Sequence, residues 1–320
     1  MKTAKTALKP VFMQPAAACL EPLFFQARHG ETPARLRAAR FAADPSVPAR
    51  GTCVLLNGQT EFIEKYFEVI DELRARGYAV ATFDWRGQGG SDLLLQDDSR
   101  KGYVTDFAEY DEDLTAFMGQ IVAPMGNDRP IALAHSMGGH NLLRYLAGHP
   151  EAFSKAILTA PMVAVSFRGN AAWVVAVVTA LQTWAGRGAH WVWGMETRDP
   201  HRVNFTTQMV TSDPGRFERT QKILRDKPGL RLAGATWAWL AAAMRSMAWL
   251  KKQAPKITTP LLVIGAGADK LVMSAETKAF SARLPHARYV EIAGAGHEML
   301  MERDAFRTQW WKAVDTFLSS

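Results

Sequence analysis

Cysteine is scarce in this chain of 320 residues, which contains only Cys19 and Cys53. Two thiols cannot form a disulfide framework or a zinc cluster, and Cys53 lies in an apolar run that is typical of a buried core thiol. A reducing compartment is therefore favoured, and we interpret the protein as cytoplasmic. The first residues could imitate a signal peptide, but Lys9, Pro10 and Gln14 interrupt the apolar segment that secretion requires.

Long hydrophobic runs and ligand-binding motifs are also missing from the sequence. The longest apolar run, Ala171–Leu181, is too short to span a bilayer. No His-Glu-x-x-His motif occurs, and no cluster of carboxylates and histidines has the spacing of metal ligands. The glycine-rich segment at residues 84–91 lacks the Gly-Lys-Ser/Thr of a phosphate-binding loop. We therefore expect no metal, no nucleotide and no other cofactor.

The charge is unbalanced, with a formal net charge of +7. The basic residues are scattered and do not form the runs with interleaved aromatics that are typical of nucleic-acid binders, so we expect no nucleic-acid partner. Residues 161–250 carry most of the excess, with eleven Lys and Arg against five Asp and Glu. Contact of this segment with an anionic membrane surface is one hypothesis, and solubility alone is the other. Nothing in the sequence indicates an oligomeric state.

Short apolar segments alternate with amphipathic helical patterns along most of the chain, which is typical of parallel strands covered on both faces. Strands are predicted at Thr52–Leu56, Ala79–Phe83, Ile131–Ala134, Leu261–Ile264 and Arg288–Ile292. Helices are predicted at Glu61–Arg76, Phe107–Val122, Gly138–Gly148, Ala275–Leu284 and Asp304–Leu318. An antiparallel hairpin is predicted at Phe24–Ala27 and Ala34–Phe41. The pattern predicts an α/β fold with a mostly parallel, doubly wound sheet.

The alternation stops at about Pro161 and resumes at about Pro260. The segment between them contains seven of the ten tryptophans and no convincing strand. We predict a core made of residues 1–160 and 251–320, with residues 161–250 inserted as a helical cap. Most of the seven tryptophans are interpreted as packing within this insertion.

Two stretches of the insertion are unusually apolar. Ala171–Leu181 is apolar around its whole circumference, and Thr236–Leu250 is nearly so apart from Arg245 and Ser246. Such helices pack on a protein core, on a lipid tail or on a membrane surface, and the sequence leaves these possibilities open.

A serine follows the predicted strand Ile131–Ala134, in the segment His135-Ser136-Met137-Gly138-Gly139 that opens a predicted helix. A serine at the tip of such a strand-turn-helix projects its hydroxyl from the sheet, and the turn needs small residues two positions before and after it. Ala134 and Gly138 meet this requirement. The helix would direct its free N–H groups towards a developing oxyanion, so Ser136 is the predicted nucleophile.

A base and an acid for this serine are predicted at the ends of later strands. His297 lies in a glycine-rich loop after the last strand, whereas most of the other seven histidines are interpreted as surface or turn residues. Asp269 follows the strand Leu261–Ile264 in a similar loop, and no carboxylate follows Lys155–Thr159. The order serine, aspartate, histidine is that of an α/β-hydrolase. We predict that His297 takes the proton of Ser136 and that Asp269 orients the imidazole.

An oxyanion hole needs two backbone N–H donors. The residue after the nucleophile, Met137, is the first candidate. The loop Asn57-Gly58-Gln59-Thr60-Glu61, which follows the strand Thr52–Leu56, should supply the second, and Gln59 is the predicted donor. Asn57 is expected to stabilise this loop.

The chain resembles the monoacylglycerol lipase and bacterial lysophospholipase branch of the α/β-hydrolases. The resemblance rests on the segments around Ser136, Asp269 and His297, on the loop at residues 57–61 with Tyr66, and on the run Asp84-Trp85-Arg86-Gly87-Gln88-Gly89-Gly90-Ser91. The resemblance extends from about residue 22 to the end, except for the insertion. It implies a serine hydrolase of carboxylic esters that acts on lysophospholipid or monoacylglycerol through an acyl-enzyme on Ser136, with a helical cap over an acyl tunnel.

The chain departs from the family pattern at Asn57 and Gln88, where the family usually carries histidine. Neither position belongs to the predicted triad, so we expect a difference in loop packing only. Arg86 and Asp92 are expected to tie loops together near the site. Two alternatives stay open: an esterase, thioesterase, amidase or acyltransferase for a soluble substrate, and a non-catalytic binding protein on the same scaffold.

Overall fold

The computed structural model describes residues 15–29, 32–95, 97–126, 129–167, 169–196, 203–230 and 234–320. The signal-like N-terminal residues and His201 lie outside these ranges. Within these ranges the ten strands are β1 (Leu23–His29), β2 (Thr32–Phe41), β3 (Gly51–Leu56), β4 (Tyr78–Phe83), β5 (Lys101–Gly102), β6 (Ile131–His135), β7 (Lys155–Thr159), β8 (Gly234–Ala235), β9 (Leu261–Ala266) and β10 (Ala287–Ile292). The five predicted core strands and the predicted hairpin are all present, with small changes at their ends.

Eight of the strands form one sheet in the order β1-β2-β4-β3-β6-β7-β9-β10. The hairpin of β1 and β2 is antiparallel and joins β4 in antiparallel register, while every other neighbouring pair in the sheet is parallel. The chain proceeds from β3 to β4 in one direction and from β6 towards β10 in the other. Parallel sheets bind ligands where the order reverses, which here is the crevice beyond the carboxyl ends of β3 and β6.

Helices cover both faces of the sheet. The part of the chain that the structure describes contains eight α-helices: α1 (Phe67–Arg74), α2 (Ala108–Phe117), α3 (Met137–Gly148), α4 (Ala172–Trp184), α5 (Pro214–Asp226), α6 (Trp237–Gln253), α7 (Ser274–Ser281) and α8 (Asp304–Ser319). One hydrophobic core contains residues of α2, α3, α6 and α7, and the other contains residues of α1 and α8. Strand β3 supplies Val54 and Leu56 to the first core and Cys53 and Leu55 to the second, since successive side chains of a strand point to opposite faces.

Two predicted helices differ in detail from those observed. The segment predicted as a helix from Glu61 begins with a 3₁₀ turn at Ile63–Tyr66, and α1 follows. The side chain of Asp84 accepts a hydrogen bond from the Ile63 N–H at 3.0 Å, so tertiary contacts fix this start. Gly77 closes the helix with φ of 87°, as expected. After α2, the chain continues as a π turn at Met118–Val122.

Arg86 and Asp92 tie loops to neighbouring elements, as the sequence indicated. The guanidinium of Arg86 bonds to Asp113 at 2.6 Å and to Glu109 at 3.1 Å, both on α2, and these side chains are almost fully buried. The carboxylate of Asp92 accepts the N–H of Arg35 on β2 at 2.8 Å. Burial raises the pKa of Asp113 to about 6, although the hydrogen bond and charge of Arg86 act in the opposite direction.

The segment 161–250 lies between β7 and β9 and is mainly helical, with α4, α5 and most of α6. It also contributes β8, a strand that the sequence did not reveal, which pairs in parallel with β5 of the core. An isolated bridge joins Val165 to Val272, just before α7. Among the described residues, no helix combines the length and the apolar character that crossing a bilayer requires.

The two apolar stretches of the insertion have different environments. Helix α6 is buried along much of its length and packs on α3 and α4. Helix α4 leaves large apolar side chains in solvent, with Trp173 72% and Trp184 86% exposed. Trp193 and Trp249 are exposed as well, although the ring of Trp193 packs edge-on against the buried Trp237 at 5.0 Å. The tryptophans of the insertion therefore divide between packed and solvent-facing positions.

The buried Arg86–Asp113 pair gives a test of the fold. We expect Arg86→Met to lower the free energy of unfolding by about 3 kcal/mol at neutral pH, because Asp113 would keep a buried charge without its partner. The loss should shrink as the pH falls towards about 6, because the pKa of Asp113, about 6 beside Arg86, is higher without that positive charge, so the variant takes up the proton first.

Urea denaturation of the two proteins at several pH values measures this difference. The control is Lys222→Met, which removes an ion pair whose lysine side chain is 68% exposed and should change stability by less than about 1 kcal/mol. Equal losses for the two variants would contradict the expectation.

Candidate functional site

Ser136 occupies a strained turn between β6 and α3. Its φ of 51° and ψ of −116° are unusual for any residue other than glycine. The Ser136 N–H donates to the carbonyl of Thr159 at the end of β7, at 3.0 Å, and its own carbonyl accepts the N–H of Met162 at 3.0 Å. These two bonds fasten the turn to the neighbouring strand, so the hydroxyl is held at the carboxyl edge of the sheet.

The small residues around Ser136 are needed for close backbone contact. A Cβ built on Gly138 would lie 2.4 Å from the carbonyl oxygen of Asn57 and 2.6 Å from that of Leu56. Neither oxygen belongs to a flexible side chain. Glycine at position 138 therefore allows α3 to begin directly against the end of β3.

The structure brings Ser136, His297 and Asp269 together, as predicted. The Nε2 atom of His297 lies 2.9 Å from the Ser136 Oγ, and its Nδ1 atom lies 2.7 Å from Oδ2 of Asp269. Both distances are those of good hydrogen bonds. The serine hydroxyl can donate to Nε2 only if that nitrogen is unprotonated, so the contact fits the Nδ1–H tautomer.

Asp269 is held by the backbone of its own loop. Its Oδ1 atom accepts the N–H groups of Leu271 at 2.8 Å and Val272 at 2.9 Å, which leaves Oδ2 for His297. Burial raises the pKa of this carboxyl, but the hydrogen bond and charge of His297, together with the two N–H groups, outweigh burial and hold the pKa below its ordinary value. Asp269 is thus an ionised hydrogen-bond acceptor at neutral pH.

The predicted oxyanion donors lie beside the serine. Met137 is the first residue of α3, and an N–H in the first turn of a helix has no partner within the helix. The loop at residues 57–61 abuts the nucleophile, since a Cβ built on Gly58 would lie 3.1 Å from Cβ of Ser136. Gln59 is the next residue of that loop. Its role as a donor stays a prediction.

Asn57 and Gln88, the two departures from the family pattern, are hydrogen-bonded to each other. The Nε2 of Gln88 donates to Oδ1 of Asn57 at 3.1 Å and to the carbonyl of Gly58 at 2.8 Å. The Asn57 amide donates to Phe83 at 3.0 Å. The two changed residues therefore compensate for each other and hold the loop, as expected for Asn57.

Sequence reasoning missed two buried histidines. Most histidines other than His297 are interpreted as surface or turn residues, but the side chains of His135 and His140 are almost completely buried. His140 packs between Met162 and Ser246, whereas His135 packs against the ring of His297 with centroids 4.9 Å apart. The sequence feature that could have indicated a role for His135 near the site is its position at the carboxyl end of β6.

An apolar groove of about 600 Å³ opens beside the turn. The segment after β7, the middle of α6 and the start of α7 form its walls, and its lining does not include the triad. Met244, Met247 and Met273 contribute to it, and Lys251 and Glu276 form an ion pair among its lining residues. It begins at Val163, next to the Met162 N–H that binds Ser136.

Comparisons with known proteins agree with this arrangement. Residues 47–304 match the family described as serine aminopeptidase, S33. The probable lysophospholipase L2 of Haemophilus influenzae is 28% identical over 314 residues, which are 97% of this chain and 98% of that protein.

Two solved structures are similar in fold. A monoacylglycerol lipase of Paleococcus ferrophilus has a TM-score of 0.69 at 21% identity, over 89% of this chain and 98% of that one. A thermostable carboxyl esterase of Bacillus coagulans has a TM-score of 0.72 at 18% identity, over 93% and 97%. The predicted α/β-hydrolase fold is confirmed.

The contact at Gly138 predicts how the turn responds to one methyl group. Gly138→Ala should lower the free energy of unfolding by about 1–3 kcal/mol, because its Cβ would collide with backbone oxygens that cannot move independently. Gly148→Ala, at the other end of α3, is the control. It has open space around it and should stabilise the helix by up to about 1 kcal/mol.

Thermal unfolding followed by circular dichroism compares the two variants with the parent. A Gly138→Ala protein as stable as Gly148→Ala would show that the close approach of β3 and α3 is not required.

Proposed function

Since this chain belongs to the serine aminopeptidase S33 family of α/β-hydrolases, we propose that Ser136, His297 and Asp269 are its catalytic triad. It is a serine hydrolase, and the substrates that we propose are the carboxylic esters of single-chain acyl lipids, lysophospholipid or monoacylglycerol. The observation that carries the proposal is the continuous hydrogen-bonded chain from the Ser136 hydroxyl through the His297 ring to the Asp269 carboxylate.

The geometry supports an acyl-enzyme mechanism. His297 Nε2 accepts the Ser136 proton as Oγ attacks the ester carbonyl, and Asp269 stabilises the imidazolium that forms. The N–H groups of Gln59 and Met137 are proposed to bind the oxyanion, and each such donor contributes about 3 kcal/mol to lowering the barrier. His297 then protonates the departing alcohol, and water activated by the same imidazole hydrolyses the acyl-enzyme. None of these steps requires a cofactor.

Two observations support a lipid substrate. The apolar groove has a volume in the usual range for small-molecule sites, about 300–1,000 Å³, and three methionines are among its lining residues. The relatives named above include a probable lysophospholipase and a monoacylglycerol lipase. We propose that residues 161–250 act as a cap over the acyl chain.

The exposed face of α4 supports contact between this cap and a membrane. Trp173, Val177, Leu181 and Trp184 are spaced by four, four and three residues and therefore share one face, and each is more than half exposed. Thr179, on another face, is buried. With the basic excess of the insertion, this face suits an anionic lipid surface. We propose that the protein is cytoplasmic, which the scarcity of cysteine supports, and that it binds peripherally to the inner face of the membrane.

The catalytic proposal predicts the effect of three substitutions. Ser136→Ala should reduce kcat by about 10⁶-fold and abolish labelling by a fluorophosphonate probe. Asp269→Asn should reduce kcat by about 10⁴-fold, because the histidine would adopt the wrong tautomer. Ser46→Ala, at an exposed loop serine, is the control and should leave both readouts unchanged. A wild-type protein that resists the probe would favour a binding protein instead.

The same proteins should be tested on lysophospholipid, monoacylglycerol, nitrophenyl esters of increasing chain length and an aminoacyl anilide. We expect turnover of the single-chain lipids and preference for long acyl chains. Preference for acetate-length esters without lipid turnover would favour an esterase for a soluble substrate, and cleavage of the anilide alone would favour an aminopeptidase.

The membrane proposal predicts that Trp173→Ser combined with Trp184→Ser weakens binding to vesicles that contain phosphatidylglycerol by at least about tenfold, because each buried aromatic contributes about 1.5–3 kcal/mol. Sedimentation with vesicles measures this effect. Phosphatidylcholine vesicles and the variant Phe24→Ser, which changes an exposed aromatic residue of β1, are the controls. Equal binding by all the proteins would contradict the proposal.

A further inference from the structure

A cluster of buried charges lies directly behind the triad. We define the buried charge cluster as Glu61, Lys65, His135 and Glu298. Lys65 Nζ bonds to Glu61 at 2.8 Å and to Glu298 at 2.6 Å, and His135 Nδ1 lies 3.0 Å from Oε2 of Glu61. The side chains are at most 17% exposed. None of these residues has a part in the mechanism above.

Glu61 is the centre of this cluster and is held ionised. Besides Lys65 and His135, the hydroxyl of Tyr66 donates to it at 2.6 Å, and so does the N–H of Gly58. Burial raises the pKa of this carboxyl, but the charges and hydrogen bonds of Lys65 and His135 outweigh burial, and the pKa lies well below its ordinary value. Glu61 thus presents acceptor oxygens only.

His135 lies between two acceptors. Its Nδ1 faces the Glu61 carboxylate, and its Nε2 lies 3.1 Å from the backbone carbonyl of His297. A neutral imidazole carries one N–H and could satisfy one of them. Both contacts are hydrogen bonds only when both ring nitrogens are protonated. Burial lowers the pKa of this ring, but the charge and hydrogen bond of Glu61, together with the charge of Glu298, raise it, and the net direction is upward.

The charge balance favours the same state. With His135 protonated, the cluster contains two positive and two negative charges and is neutral. With His135 neutral, it would carry a net negative charge in a buried position, next to the site where an oxyanion forms. Such a charge would oppose the reaction, because an unpaired buried charge interacts strongly at this range.

We propose that His135 is a doubly protonated positioning residue: its Nε2–H fixes the backbone of His297, and its charge keeps the buried charge cluster neutral. The proposal rests on the triad proposed above. It assigns to His135 an action through His297 and not on the substrate. The charged groups that face His135 are Lys65, Glu61 and Glu298, and the one that faces His297 is Asp269. Tyr66 donates a hydrogen bond to Glu61 and so acts on His135 indirectly.

The protonation state can be read without any variant being active. In wild-type protein labelled with ¹⁵N-histidine, both ring nitrogens of His135 should carry protons at neutral pH, with the signals assigned by their loss in His135→Asn. One unprotonated ring nitrogen at neutral pH would overturn the proposal, whether or not the enzyme hydrolyses lipids.

Two variants test the action through His297. His135→Gln keeps a donor that can reach the His297 carbonyl, and His135→Asn keeps one near Glu61; both are uncharged. The cluster then carries a net negative charge, which favours the protonated form of His297. We expect the acid limb of the kcat/KM profile to move to higher pH by about one unit in both variants. We expect kcat to fall by about 10- to 100-fold with KM unchanged, and the fall in kcat to be smaller in His135→Gln than in His135→Asn.

His140→Gln is the matched control. This ring is buried like that of His135 but lies on α3, and burial, with the charge of Arg144, lowers its pKa to about 3, so it is neutral and its loss changes no charge. Its acid limb should stay in place even if its stability falls. An unshifted limb in both His135 variants would reduce His135 to a structural residue and overturn the proposal. A wild-type protein that a fluorophosphonate fails to label would refute the triad separately.

Discussion

A serine backbone at positive φ is the constraint on which the rest of the site depends. Such a conformation costs about 1–3 kcal/mol and persists only where neighbouring segments hold it. Here the carbonyl of Thr159 and the N–H of Met162 hold Ser136 from the side of β7. Gly138 lets the same turn press against the end of β3. The close approach of these three strand ends also brings Gly58 against Ser136, so one packing arrangement sets both the hydroxyl and the proposed oxyanion loop.

Much of this arrangement follows from local sequence. Parallel strands buried on both faces are apolar throughout, and catalytic groups gather at their carboxyl ends, so Ser136, Asp269 and His297 could be found from the strands that precede them. The loop at residues 57–61 was found in the same way. The hydrogen bond between Asn57 and Gln88 could not be predicted in this way, because it joins two departures from a family pattern that are 31 residues apart.

The charges behind the triad could not be predicted, for a physical reason. Glu61, Lys65 and His135 are residue types that are usually exposed, and only their mutual contacts make burial tolerable. Glu61 and His135 are 74 residues apart, so no periodicity links them. The two helices of the insertion show the same limit: only α6 carries charged residues, yet it is the more buried of the two because of what packs against it.

The pair of two-residue strands β5 and β8 has a consequence for how this molecule can diverge. The two strands pair through their backbones, with Gly102 on one side and Gly234 on the other, and the hydroxyl of Thr236 donates to the Gly102 carbonyl at 2.9 Å. A Cβ on Gly102 would lie 3.3 Å from the side-chain Nε2 of Gln59, so the joint lies against the loop beside the nucleophile. Because this joint depends on backbone groups and one hydroxyl, most side chains of the insertion can change there while the loop beside the nucleophile keeps its position.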